Sequence, residues 1–256
     1  MHGKIIVLPK NRLANRSGGF SLVELLVVIG IIALLLAIIL PVVGKVRRQA
    51  SATKCLAQTR QIVSAIVLYS NDFDGSLPSP GWQSVEQNLT PGKRMSNWLY
   101  NQDKSNDFFR DGDAQYGSLQ KYLNTTKVFR CPDDHGPWID GTVQNITSYL
   151  MNGSVCAFGG VDTSGKPVIT TSILLYKADC VIFWEVTGSD KSGGNDSSSF
   201  PSERITDRHA TGSNVGCADG HAETIAATLP NDPWQVELNK QYKNRLWCNP
   251  FTKDGH

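Results

Sequence analysis

From Leu25 to Val43 the chain reads LLVVIGIIALLLAIILPVV, about 19 positions without a charge, close to the length an α-helix needs to cross a hydrocarbon core. A helix in water would keep a polar face, and this stretch has none. Lys4, Lys10, Arg12 and Arg16 precede it, followed by the small residues Ser17, Gly18 and Gly19, which makes a basic leader abutting an apolar segment. A secretory signal would place its small-residue cleavage site after a shorter apolar stretch. Here Leu40-Pro41-Val42-Val43-Gly44 runs straight into Lys45, Arg47 and Arg48, and the small residues lie on the other side, before Phe20. A plain membrane anchor and a segment processed on the cytoplasmic side remain.

Glu24 separates them. A carboxylate near the edge of a membrane span costs up to about 3 kcal/mol on insertion scales and persists where it has a partner. Cutting the peptide bond after Gly19 would give Phe20 a new α-amino group. Glu24, fifth in the trimmed chain, could pair with that amine on a neighbouring subunit and set axial register. Pro41 removes a backbone hydrogen bond within the apolar run and favours a kink or local melting there.

Gly19-Phe20-Ser21-Leu22-Val23-Glu24-Leu25, with the basic leader and the apolar helix, resembles the signature of type IV prepilins and of the pseudopilins of type II secretion. The resemblance implies cleavage between Gly19 and Phe20, N-methylation of Phe20, and insertion in the inner membrane with the leader cytoplasmic and the head on the periplasmic or outer side. It also implies partners: a prepilin peptidase/methyltransferase, other pilin-like subunits, and an inner-membrane platform protein with its assembly ATPase. This chain lacks the G-x-x-x-x-G-K-[ST] phosphate loop of a motor. With 25 basic and 23 acidic side chains in 256 residues, its net charge of +2 gives no cationic surplus for nucleic-acid binding.

Beyond the basic cluster, Val46, Ala50, Leu56, Ile62, Val63, Ile66 and Tyr69 recur at spacings near three and four, so the helix is expected to continue, amphipathic, to about Asn71. Asn71-Asp72-Phe73-Asp74-Gly75 and Leu77-Pro78-Ser79-Pro80-Gly81 are turn chemistry. The predicted layout is α+β. Residues 1–19 are a leader, 20–71 a long helix with its transmembrane part at about 22–43, and 72–256 an antiparallel β-rich, pilin-like head. Strands are expected at Lys127–Phe129, Val168–Thr170, Ile173–Tyr176 and Cys180–Trp184, and a flexible loop at Ser189–Ser199. Ile205–His209, Val215–Ala218 and His221–Ile225 read as three successive antiparallel strands, with Asp219-Gly220 as a primed hairpin turn.

His209 followed after nine residues by Asp219-Gly220 resembles the H-X9-DG signature of a prepilin-like family with an extended head, at residues 209–220. That family also carries a Cys-Pro pair, matched by Cys131-Pro132, and an Asp-x-Asp-Gly-x-x-Pro stretch, matched from Asp72 to Pro78. No role is carried over to Cys217, where the family often has a bulky apolar residue.

Several side chains invite chemistry. Asp72 and Asp74 could contribute to a Ca²⁺ cage, although the run lacks the later ligands of a full calcium loop and reads more simply as a helix-terminating turn. Cys131-x-x-x-His135 and Cys217-x-x-x-His221 would supply four Zn²⁺ ligands. Outside the cytoplasm, Cys55, Cys131, Cys156, Cys180, Cys217 and Cys248 would instead favour one or more disulfides among 15 connectivities, with Cys55 placed to link helix to head. His209 with Asp219 could orient a nucleophile, Ser213 or Cys217, but no nucleophile-elbow motif accompanies them. A polar contact that fixes the hairpin is the expected role, and the chain is not expected to be an enzyme. Trp82, Trp98, Trp138, Trp184, Trp234 and Trp247 would make a glycan-stacking surface only if they gathered in one exposed place; core packing is their default. The function expected is that of a structural subunit of a secretion pseudopilus or type IV pilus-like filament. The alternative is a membrane-tethered, non-polymerising module that binds a glycan or an exported protein.

Overall fold

The computed structural model describes residues 21–81, 97–100, 115, 117–134, 147–186, 197–202, 205–206, 208–209, 212–226 and 233–256. The chain divides into two units, one up to Arg47 and the other from Arg48 to His256. Helix α1 spans Leu22–Asp72 and runs through Pro41 without interruption. In the first unit every described residue is exposed, including the large apolar side chains from Leu22 to Val46. Among the described residues this is the one helix long and apolar enough to cross a membrane.

The rest of α1 belongs to the second unit and carries a buried stripe of Cys55, Gln58, Thr59, Ile62, Val63, Ala65, Ile66 and Ser70, the spacing of one helix face. Val46 and Ala50, expected on that face, are exposed. The helix stops at a Schellman-type cap: the Gly75 N–H donates to the Ser70 carbonyl at 2.7 Å, and Asp74 takes the left-handed conformation at φ 50°.

The stripe packs on a five-stranded sheet in the order β3-β1-β2-β4-β5, built from β1 (Tyr149–Asn152), β2 (Val181–Glu185), β3 (Ser198–Ser199), β4 (Ser213–Cys217) and β5 (Ala222–Ile225). Both faces are covered. Ile62, Val63 and Ile66 share one cluster with Tyr149, Met151, Ile182 and Phe183. Leu150, Val181, Trp184, Val215, Cys217 and Ile225 point the other way, onto Leu246. Each fully buried aliphatic side chain at the helix–sheet contact contributes about 1.5–3 kcal/mol. Gly216 lets the two layers approach: a Cβ there would overlap Val63 Cγ2. A short helix, α2 (Pro233–Leu238), follows β5.

The α+β layout is as expected, with corrections in detail. The sheet is mixed, since β3 runs parallel to β1 while the other pairings are antiparallel. Thr126–Phe129 and Ile173–Leu175 are single 3-10 turns, capped by Thr125 and Ser172 side chains that accept from the amides two residues on, so local side-chain capping prevails over β propensity. Val168–Thr170 is irregular. Ser198–Ser199, expected within a flexible loop, forms β3 and is buried. Around His209 the described residues form isolated bridges, Val186 with Ile205 and His209 with Gly212. The β4–β5 hairpin is present, but its turn differs from the primed one expected. Gly220 N–H donates to Cys217 O and Cys217 N–H to His221 O; Gly220 alone in the loop has positive φ, 92°. That makes a three-residue loop with glycine in its left-handed position.

Candidate functional site

Two places carry the features singled out above. At the start of α1, Ser21 and Glu24 form a reciprocal capping box: the Ser21 N–H donates to Glu24 Oε2 at 2.8 Å and the Glu24 N–H to Ser21 Oγ at 3.2 Å. Ser-x-x-Glu ahead of an apolar run is the sequence form of this motif. The Glu24 carboxylate is thereby turned back toward the helix start at Ser21. Gly19 and Phe20 themselves lie outside the described residues.

The second place is a buried polar centre in the head. A disulfide joins Cys55 of α1 to Cys131, with Cα atoms 5.4 Å apart, so the link from helix to head is made by the cysteine that the sequence singles out. Against it lies the His209 ring, whose Nε2 is 3.5 Å from Cys131 Sγ and 3.2 Å from Glu185 Oε1. Glu185 ends β2 and is fully buried; its Oε2 accepts from the Asn214 N–H at 3.0 Å. Asp133 Oδ2 stands 3.7 Å from His209 Nδ1. The Cys131 N–H donates to Ser148 Oγ, the Ser148 hydroxyl donates to Asp134 at 2.6 Å, and Arg208 pairs with Asp134 at 3.1 Å. Tyr149, whose hydroxyl lies 3.4 Å from the Cys55 carbonyl, has its phenol held well above the ordinary range by burial. Donor atoms of Cys55, Cys131, Glu185 and His209 lie within 4.8 Å of one another, all four residues buried.

This geometry separates His209 from Asp219. His209 turns to Glu185 and Cys131, whereas Asp219 pairs with His221, accepting from its backbone N–H at 3.0 Å and facing its ring. Gly220 supplies the turn. The hairpin is thus fixed by Asp219 and His221, and the expected His209–Asp219 contact is not made. A nucleophile is not assembled either: Ser213 Oγ donates to the Glu185 carbonyl, and burial pushes the Cys217 thiol up to about 12.

Among the described residues, Cys131 falls in a different donor group from Cys217 and His221. Cys131 is in the disulfide, and His135 lies outside the described residues. Cys217, His221 and Glu223 do gather, but Arg245 reaches both Cys217 Sγ and Glu223, setting a cation where a metal would sit. Asp72 accepts from the Tyr122 hydroxyl at 2.7 Å and pairs with Lys121 at 3.4 Å, while Asp74 serves as the helix cap. Neither belongs to a group of three or more metal donors among the described residues. Cys156, Cys180, Cys217 and Cys248 are buried and take no part in the disulfide. Trp98, Trp184 and Trp247 are buried, so they pack the core and cannot form an exposed stacking surface; Trp82 and Trp138, and the Trp234 side chain, lie outside the described residues.

Sequence reasoning missed Glu185 and Asp133 as the partners of His209. The available signal was a single carboxylate closing the apolar run Val181-Ile182-Phe183-Trp184, where only a partnered acid survives burial.

With the capping box and the exposed apolar half-helix in place, comparison with known families bears on the first site. Residues 14–40 match the family model of the prokaryotic N-terminal methylation motif. The match takes in Gly19, Phe20, Ser21, Glu24 and most of the apolar run, and it supports a prepilin-type protein. It does not extend to the head, where H-X9-DG stays a resemblance in sequence. No curated protein and no solved structure matches the chain.

Proposed function

We propose that this chain is a structural prepilin-type subunit. A prepilin peptidase/methyltransferase cuts between Gly19 and Phe20 and methylates the Phe20 amine. The first part of α1 anchors the chain in the inner membrane with the head on the periplasmic or outer side. Subunits then leave the membrane, drawn by a platform protein and its ATPase, and stack through residues 20–43 into a type II secretion pseudopilus or a type IV pilus-like filament. Glu24 pairs with the Phe20 amine of a neighbour.

The observation that carries this reading is the charge-free run of α1 from Leu25 to Val43, exposed at every residue, directly behind a processing motif. Such a surface needs lipid before assembly and like helices after it. The capping geometry adds that the Glu24 carboxylate already faces the helix start, where a trimmed chain would present its amine.

The test places a photo-cross-linking residue at Leu36, on the exposed helix, in cells with an active peptidase. Cross-linked like subunits are expected for the otherwise unchanged chain. With Glu24→Ala, cleavage and membrane insertion should persist while the cross-link is lost. A processed, membrane-bound chain that never cross-links to itself would overturn assembly and favour a tethered binding module.

A further inference from the structure

The four donors around the disulfide suit more than a covalent link. Two sulfurs, an imidazole nitrogen and a carboxylate oxygen are a donor set for tetrahedral Zn²⁺, whose bonds to such atoms are about 2.0–2.3 Å long. All four residues are buried and their donor atoms already lie within 4.8 Å of one another. The surroundings are those of a metal site. Glu185 spends Oε2 on the Asn214 N–H and leaves Oε1 facing His209. His209 presents Nε2 to the sulfur and turns Nδ1 toward Asp133, the carboxylate–histidine arrangement that orients a ligating imidazole. Cys131 is held through its own N–H by Ser148, which Asp134 and Arg208 hold in turn.

We propose that Cys55, Cys131, Glu185 and His209 form a redox-gated Zn²⁺ site, closed by the disulfide in the oxidised chain and filled by zinc when the two sulfurs are reduced. Opening requires two electrons and two protons, delivered by a dithiol that leaves as its own disulfide. Zn²⁺ then displaces the two thiol protons to solvent and is bound by two thiolates, the Glu185 carboxylate and neutral His209. In both states Cys55 of α1 stays fastened to the head through Cys131, by a covalent bond or through the metal. The fastening would survive a change from oxidising to reducing surroundings. This inference is independent of filament assembly.

The test uses the full chain in detergent micelles, oxidised or reduced with a phosphine and freed of metal, and titrated with Co²⁺ as a spectroscopic probe. The reduced chain is expected to take up one Co²⁺ with thiolate-to-metal charge-transfer and tetrahedral d–d absorption, which one equivalent of Zn²⁺ abolishes. The oxidised chain should show none. Cys55→Ser should remove the thiolate signature, Cys217→Ser should leave it unchanged, and Asp133→Asn, which removes no ligand, should weaken binding about 10–100-fold. Circular dichroism on each variant reports whether the head stays folded. Absence of Co²⁺ binding by the reduced chain would overturn the proposal. So would a signal that survives Cys55→Ser but disappears in Cys217→Ser, or equal binding by the oxidised chain.

Discussion

Removing the link between Cys55 and Cys131 with the pair Cys55→Ala and Cys131→Ala should destabilise the head by several kcal/mol. The bond joins residues separated by 76 positions. A loop of that length, placed in the chain-entropy relation, gives about 15 cal/mol/K removed from the unfolded chain, or roughly 4.5 kcal/mol at 25 °C. Engineered and native bonds often deliver less, so about 2–4.5 kcal/mol is the expected range. Both sulfurs are buried, at 0% and 1% exposure, which adds a smaller packing loss. The assay is urea unfolding of the oxidised chain in micelles with a chelator present, followed through the fluorescence of buried Trp98 and Trp184. With a slope of about 2 kcal/mol/M in urea, a loss of 4.5 kcal/mol lowers the midpoint by roughly 2 M. Reducing the unaltered chain under the same conditions should bring its midpoint down to that of the double variant. A shift worth under about 1 kcal/mol would refute the reasoning, because it would mean that the sulfurs are not joined or that the unfolded chain is not constrained by joining them.

Three further outcomes follow from particular contacts. Gly216→Ala places a methyl group against Val63 Cγ2 and 3.5 Å from Phe183 Cβ, so overpacking between α1 and the sheet should cost about 1–3 kcal/mol, read as a lower unfolding midpoint; Gly165→Ala, in open space but at φ 81°, should leave the helix–sheet contact intact. Asn152 donates to the Val181 carbonyl at 2.8 Å and the Leu246 carbonyl at 3.0 Å. Asn152→Ala strands those buried acceptors at about 1–3 kcal/mol, and amide exchange near Leu246 should accelerate. For Asp219, partial burial raises the carboxyl, but the His221 backbone N–H and ring outweigh it and hold the group below the usual range. A folded-state value below the unfolded one means that the stability Asp219 adds is complete above about pH 4 and fades as pH falls through the folded value. Asp219→Asn should flatten that part of the acid-unfolding profile.

What could be read in the sequence divides along physical lines. The end of α1 was legible to within a residue because Asp-Phe-Asp-Gly combines a helix stop with a left-handed cap. Strand β2 was legible because β-branched and aromatic residues run together between turns, and the β4–β5 hairpin because Gly220 marks its loop. Strand β1 was missed: Tyr149-Leu150-Met151-Asn152 has no β-branched residue, and it is a strand through pairing with β2 and β3 and burial on both faces. Lys127–Phe129 misled in the opposite direction, since its apolar residues suggested a strand while Thr125 caps a turn. At the buried centre, residue types were visible but their partners were not. His209 and Asp219 are close in sequence and hydrogen-bond elsewhere, because the sheet brings Glu185 to His209 across 24 residues. The capping role of Glu24 is legible as Ser21-x-x-Glu24, the sequence form of a capping box.

Intact-mass and fragment measurement of the chain purified from cells with an active prepilin peptidase bears most directly on the prepilin-type reading. The expected species begins at Phe20 and carries one methyl group on its α-amine. Recovery of the chain with residues 1–19 still attached, or trimmed after the apolar run with the half-helix removed, would contradict it.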